Sequence, residues 1–145
     1  NQLLFRFGAL TLTTRLLEGQ YPDFRRVMPA AFPGAALVDR LHFMAACERE
    51  ALVAKDGAMH LEATEAGVQL TARTPELGRL VERVGATLTG EPFTVDLNVR
   101  FVLEGLRSMV GQQVLVEFAG PHSAVRFRSG SDAHAFFAVM PLLSF

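Results

Sequence analysis

The sequence predicts an α+β domain of duplicated form, in which two helices pack on antiparallel sheets. Three observations carry this. Short stretches alternate apolar and polar residues with period two, two longer stretches repeat at helical spacing, and the order strand, helix, strand, strand, strand occurs twice.

The first element reads as a hairpin. Leu4-Phe5-Arg6-Phe7 and Leu10-Thr11-Leu12-Thr13 alternate, with Gly8-Ala9 as the turn. A lone hairpin is marginal in water, so its sheet lies elsewhere. The turn formers from Leu17 to Asp23 then mark a boundary. Residues 1–21 are expected to close a preceding domain, and residues 22–145 to form a second one.

In the first unit, residues 24–28 read as a short strand. Pro33-Gly34 leads into a helix expected over residues 35–49, with Leu37, Leu41, Met44 and Ala45 as its apolar stripe. Strands follow near residues 58–62, 68–73 and 79–88. The second unit opens on Phe93-Thr94-Val95-Asp96-Leu97. Asn98 is placed to cap a helix whose apolar stripe is Val99, Val102, Leu103, Leu106 and Val110, ending at Gly111. Arg100, Glu104 and Arg107 form its polar stripe, with Arg100–Glu104 spaced for an ion pair. Strands near residues 114–118, 125–128 and 135–140 complete it.

Composition narrows the function. The 145 residues are half hydrophobic, so the chain folds without a disulfide or metal. Cys47 is the one cysteine, which excludes a disulfide framework and a cysteine-rich zinc site. No apolar run is long enough for a transmembrane helix. Fourteen basic residues against fifteen acidic give a net charge of −1, unlike proteins that grip nucleic acid by neutralising phosphates. The chain starts at Asn1 without a signal-like stretch and reads as a piece of a longer protein.

An enzyme finds little support. His42, His60, His122 and His134 show no i,i+4 pair, and no nucleophile elbow or glycine-rich phosphate loop is present. Cys47 reads as a buried, inert thiol, and Asp23 and Asp39 do not make a carboxylate pair. A small-molecule-binding domain and a purely structural oligomerisation domain, neither docking linear motifs, are the alternatives.

Three stretches carry a resemblance. Leu17-Glu18-Gly19-Gln20-Tyr21-Pro22-Asp23-Phe24-Arg25-Arg26-Val27-Met28-Pro29 resembles the junction before the last domain of the bacterial DNA polymerase III beta subunit, the sliding clamp. Leu97-Asn98-Val99-Arg100-Phe101-Val102-Leu103-Glu104-Gly105-Leu106 is similar to the start of that domain's second helix. Ala138-Val139-Met140-Pro141-Leu142-Leu143 is similar to its tail. Spacing included, the resemblance covers essentially the whole chain.

The resemblance implies a DNA-clamp fold and a protein without catalysis or cofactor. Polymerase activity would come only by association with the bacterial polymerase III holoenzyme. Two chains of three similar domains would close head to tail around duplex DNA, with helices lining the hole. Topological linkage removes the need for many phosphate contacts, which suits a near-neutral domain. Arg40, Arg100 and Arg107 are the expected DNA-facing residues. The resemblance also implies a groove that binds Gln-Leu-x-Leu-Phe motifs. Pro22, Arg26 and Val27 would contribute from the junction, and Asn98 and Phe101 from the second helix. His122 and Ala124 would come from a strand entry, and Met140, Pro141 and Leu142 from the tail. Leu143 stands where the family's tail usually carries a basic residue, and Phe145 extends the end. The ring-closing interface would use Glu76, Arg79, Leu80 and Glu82 on an edge strand, with Ala46 and Cys47 from the first helix. The implied partners are duplex DNA, the polymerase alpha subunit, the clamp loader, and repair polymerases, ligase and mismatch-repair proteins. The setting would be the cytoplasm, at the nucleoid, with no membrane contact.

Overall fold

A computed structural model describes residues 1–21, 23–132 and 134–143. The hairpin is present as β1 (Gln2–Phe7) and β2 (Leu10–Arg15), paired only with each other among the described residues and exposed throughout. Gly8 supplies the turn at a φ of 61°.

Residues 24–28 do not form the expected strand. Phe24–Arg26 is a single 3-10 turn, started by the Asp23 carboxylate, which accepts the Arg25 amide at 3.2 Å. The turn formers of the junction extend further than the alternation suggests, and a local cap replaces a ladder.

The first unit then runs β3 (Gly34–Asp39), α1 (Arg40–Val53), β4 (Ala58–Thr64), β5 (Gly67–Thr74) and β6 (Gly78–Val84), followed by β7 (Ala86–Gly90). The second runs β8 (Phe93–Asn98), α2 (Val99–Ser108), β9 (Gln113–Phe118), β10 (Val125–Ser129) and β11 (Phe136–Val139). All pairings are antiparallel, in a five-stranded sheet β11-β10-β9-β3-β7 and a four-stranded sheet β6-β5-β4-β8.

The units exchange their first strands. β3 pairs with β9 of the second unit, Leu37 opposite Leu115. β8 pairs with β4 of the first, Leu61 opposite Val95. The helix starts are tied the same way. Asp39 and Asn98 cap α1 and α2 by accepting the amides of His42 and Arg100. The first helical amide of α1, Arg40, donates to Gln112 O at 2.7 Å, and that of α2, Val99, donates to Gly57 O at 2.8 Å. Each helix therefore starts on the loop that follows the other. Gly57 must be glycine there: its φ is +86°, and a Cβ would meet the Asn98 carboxamide at 2.8 Å.

Three expectations need correction. Residues 35–39 belong to β3, not to a helix. Ala36 and Val38 point into the core while Ala35 and Leu37 point outward, and α1 begins only after the Asp39 cap. Ladders on both sides of β3 override the helical spacing of Leu37 and Leu41. The buried face of α1 is Phe43, Ala46, Cys47 and Glu50, with Leu41 exposed. Second, residues 79–88 are two strands in two sheets, separated at Gly85. Val84, Ala86 and Leu88 all pack on the core, so the alternation keeps its phase across the break and hides it. Third, α2 ends at Ser108 rather than Gly111, and Val110 is exposed.

One core joins both sheets and both helices. Phe127 and Phe137 stack at 4.6 Å, and Phe137 lies against Gly105 of α2, where any side chain would strike its ring. Glu50 is the one acidic side chain on the buried face of α1. It is fully enclosed, and neither oxygen has a hydrogen-bond partner. Burial pushes its carboxyl from 4.5 up to about 7, helped by the Glu82 charge and opposed by the Ala72 and Glu82 main chain and by Arg49.

This sets a pH dependence. The unfolded chain releases the Glu50 proton near its ordinary value, while the folded chain holds it to about pH 7. Stability is therefore lost as pH rises from about 4.5 to about 7. Glu50→Gln removes that loss, so urea unfolding at pH 4.5 and pH 8 should show the variant gaining on the order of 3 kcal/mol over wild type at the higher pH. An unchanged difference would assign the ionisation elsewhere.

Candidate functional site

The tail is seated on a sheet edge. Among the described residues β8 pairs with β4 on one side only, and on the other Leu142 N donates to Asp96 O at 2.8 Å. Pro141, Leu142 and Leu143 then line a depression of about 250 Å³ with His60, Thr94, Asp96, Pro121 and His122. His60 Nδ1 lies 2.7 Å from Asp96 Oδ1, which orients the imidazole beside the tail. Of the groove residues expected from sequence, His122, Pro141 and Leu142 thus meet. His60, Thr94, Asp96 and Pro121 were not expected. The cross-strand register of His60 with Asp96 is the signal for them, and it requires the pairing of β4 with β8.

Met140 follows β11 directly and is 56% exposed. Phe101 is 58% exposed, one turn before Gly105 on the flank of α2 that faces β11. Val27 is exposed, and Arg26 is held by Asp23 at 3.4 Å. The junction is fixed near β11 by Phe24, whose ring is 6.5 Å from that of Phe136. It is fixed further by Phe32, which lies under the Arg126 guanidinium at 4.2 Å. Pro22 lies outside the described residues. Two groove expectations change. Ala124 is buried, 2% exposed, so it offers a ligand no surface. Asn98 uses its side chain to cap α2 and is half-buried against Gly57.

The helices present a balanced face. Arg100 and Arg107 are exposed on α2. Arg107 pairs with Glu48 of α1 at 3.0 Å, and Arg100 turns to the Lys55 carbonyl at 3.4 Å rather than to Glu104. Arg40 does not belong with them. It is half-buried and donates to the carbonyls of Gly111 at 2.8 Å and Leu106 at 3.3 Å, closing the C-terminal end of α2. Its position at the first residue of α1 follows from the strand that sequence periodicity conceals.

β6 is an edge strand, paired only with β5 among the described residues. Glu82 accepts both Arg49 nitrogens, at 2.6 and 2.9 Å, and this hydrogen-bonded pairing holds its carboxyl below the usual range. Glu76 pairs with Lys55 at 3.3 Å. Arg79 is exposed and Leu80 half-buried. Ala46 and Cys47 are in the core, 1% and 0% exposed, and cannot touch a second chain without α1 unpacking. Burial pushes the Cys47 thiol far up, with Glu50 and Glu48 adding to it, so the thiol stays protonated and unreactive. Among the described residues, no group of three His, Cys, Asp or Glu side chains could hold a metal. No helix among them is long and apolar enough to cross a membrane.

Known proteins share this arrangement. The family described as DNA polymerase III beta subunit, C-terminal domain, matches residues 25–143. The chain is 32% identical over 140 residues to a beta sliding clamp of Caulobacter vibrioides, covering 95% of this chain and 38% of that one. The DNA polymerase sliding clamp of Bacillus subtilis has the same fold, with a TM-score of 0.92 at 25% identity over 99% of this chain and 39% of that one. A Caulobacter crescentus beta sliding clamp, solved with polyethylene glycol at its proposed beta-motif tethering region, matches with a TM-score of 0.89 at 30% identity. That match covers 99% of this chain and 39% of the other. The chain thus spans about two fifths of the length of these relatives.

The seat of the tail can be checked by removing the Leu142 main-chain donor to β8. Leu142→Pro deletes the N–H that reaches Asp96 O. Hydrogen exchange at the Met140 and Leu143 amides should then quicken about tenfold or more, with global stability lowered by roughly 1 kcal/mol or less. Unchanged exchange would mean that the tail is held by other contacts.

Proposed function

The chain belongs to the C-terminal domain family of the DNA polymerase III beta subunit, and from that membership we propose that it is the last part of a DNA sliding clamp. Residues 1–21 close the preceding middle domain, and residues 22–145 are the C-terminal clamp domain. The protein does no chemistry. Its chains join head to tail into a ring around duplex DNA and tether the replicative polymerase in the bacterial cytoplasm, at the nucleoid. The polymerase alpha subunit, the clamp loader and repair polymerases, ligase and mismatch-repair proteins dock in turn through short Gln-Leu-x-Leu-Phe segments.

The observation that carries the docking role is the tail. Met140, Leu142 and Leu143 stay exposed although the tail is pinned to β8, beside a depression that also holds His122. Exposed apolar residues on a main-chain-anchored segment suit a peptide's Leu and Phe. Met140 suits several partners because its side chain repacks easily. Val27 and Phe101 extend the apolar surface, and Arg26 supplies a donor at the junction. Leu143 gives this edge an apolar contact in place of a basic anchor.

The DNA role draws on Arg100 and Arg107. Arg107 is tied to α1 and Arg100 to the loop that follows it, yet both are solvent-exposed, a weak field that favours sliding over fixed phosphate contacts. Ring closure draws on the open edge of β6, with Glu76, Arg79, Leu80 and Glu82. An open strand edge with exposed Val81 on it and exposed Leu77 just before it is a liability until a second chain covers it.

The test is binding of a Gln-Leu-x-Leu-Phe peptide to the full-length protein. Met140→Ala with Leu142→Ala should weaken it about tenfold or more, since each buried apolar side chain contributes roughly 1.5–3 kcal/mol. The melting temperature should hold, because both side chains are exposed. Equal affinity in wild type and variant would overturn motif docking here. No binding by the intact wild type would favour a structural oligomerisation domain.

A further inference from the structure

The outward face of the four-stranded sheet carries a second arrangement, which shares Arg79 with the β6 edge and His60 and Asp96 with the tail depression. Two rows of side chains run across its strands. The register places Arg79 opposite Arg73, with Ala58 next in line. The neighbouring row is Val81, Thr71, His60 and Asp96. Like charges directly opposite on adjacent strands repel. Neither arginine has an ion-pair partner among the described residues, whereas on the same face Arg83 is bridged through Gln69 to Glu62.

The face is also hollowed at this point. Ala58 has too short a side chain to fill its place in the row, and Ala58, His60, Thr71, Arg73, Arg79 and Asp96 enclose a depression of about 330 Å³. Thr71 Oγ1 is buried there without a hydrogen-bond partner. A buried hydroxyl left unpaired costs stability, as does the arginine pair. A ligand can relieve the arginine repulsion: a tetrahedral dianion neutralises two guanidiniums and accepts their paired N–H groups.

We propose that the depression between Arg73, Arg79 and Thr71 binds a phosphate group, either free or carried by a small phosphorylated molecule. Its volume takes a phosphate with a modest organic part. The imidazole of His60, fixed through Nδ1 to Asp96, forms the wall that such a part would meet. A strand added to the β6 edge would pair through its main chain and leave this face open to a ligand.

The experiment titrates inorganic phosphate and, separately, adenosine monophosphate into the full-length protein, with ionic strength held constant by chloride, and follows heat of binding. Saturable binding is expected, weakened about tenfold or more in Arg73→Gln and in Arg79→Gln by loss of a charged hydrogen bond. Tighter binding of the monophosphate identifies a phosphorylated small molecule as the ligand, and equal binding identifies the bare anion. A second readout separates binding from folding. In chloride alone, Arg73→Gln, on β5 and away from the ring-closing edge, should melt at or above the wild-type temperature, because the arginine repulsion is relieved. Absence of saturation with both probes, unchanged affinity in both variants, or a lowered melting temperature in chloride would each overturn the proposal.

Discussion

Everything in this domain depends on the exchange of first strands between its two units. β3 leaves the first unit to pair with β9, and β8 leaves the second to pair with β4. Neither meander is complete without the strand lent by the other. Because each helix follows its lent strand directly, the exchange also sets the helices. Arg40 N on Gln112 O and Val99 N on Gly57 O fix each helix start to the loop that follows the other helix. The arginines repeat the relation at side-chain level, Arg40 reaching the end of α2 and Arg100 the end of α1. The helices are thereby held side by side and antiparallel, with Glu48, Arg100 and Arg107 on the outward face.

The exchange also determines which edges stay open, and edges are where this fold meets other molecules. In the five-stranded sheet, β7 pairs along β3. Among the described residues the four-stranded sheet has no such strand beside β8, and the tail bonds there through Leu142 N to Asp96 O. Leu142 and Leu143 nevertheless keep their apolar side chains exposed. At the far side, β6 is left open, and its acidic residues are already engaged by Arg49 and Lys55. The unit duplication is thus broken where function is proposed: one free strand edge covered by a strand, the other by a tail.

The sequence was legible in proportion to how local each cause is. The hairpin, β8 and the Asn98 cap were readable because alternation and a capping residue decide them within a few positions. The buried stripe of α2 was readable for the same reason. β3 was not, because its ladder partners lie far along the chain and the spacing of Leu37 and Leu41 imitates a helix. The stripe of α1 was concealed by Glu50, a charged residue type at a fully buried position. The division of residues 79–88 was invisible because inward residues keep the same parity across Gly85. Site residues followed the same rule. The resemblance names the tail residues, whereas His60 and Asp96 emerge only from the β4–β8 register. The burial of Ala124, Ala46 and Cys47 and the carbonyl contacts of Arg40 are tertiary properties that the local sequence does not carry.

The proposed clamp is held on DNA by topology rather than by affinity. The decisive measurement loads the full-length protein onto circular duplex DNA, then cuts the circle once and follows what remains bound. Stable retention is expected on the closed circle and rapid loss after linearisation, with little dependence on salt in the closed state. Retention that is equal on both forms and falls steeply with salt would mean phosphate binding in place of encirclement, and would contradict it.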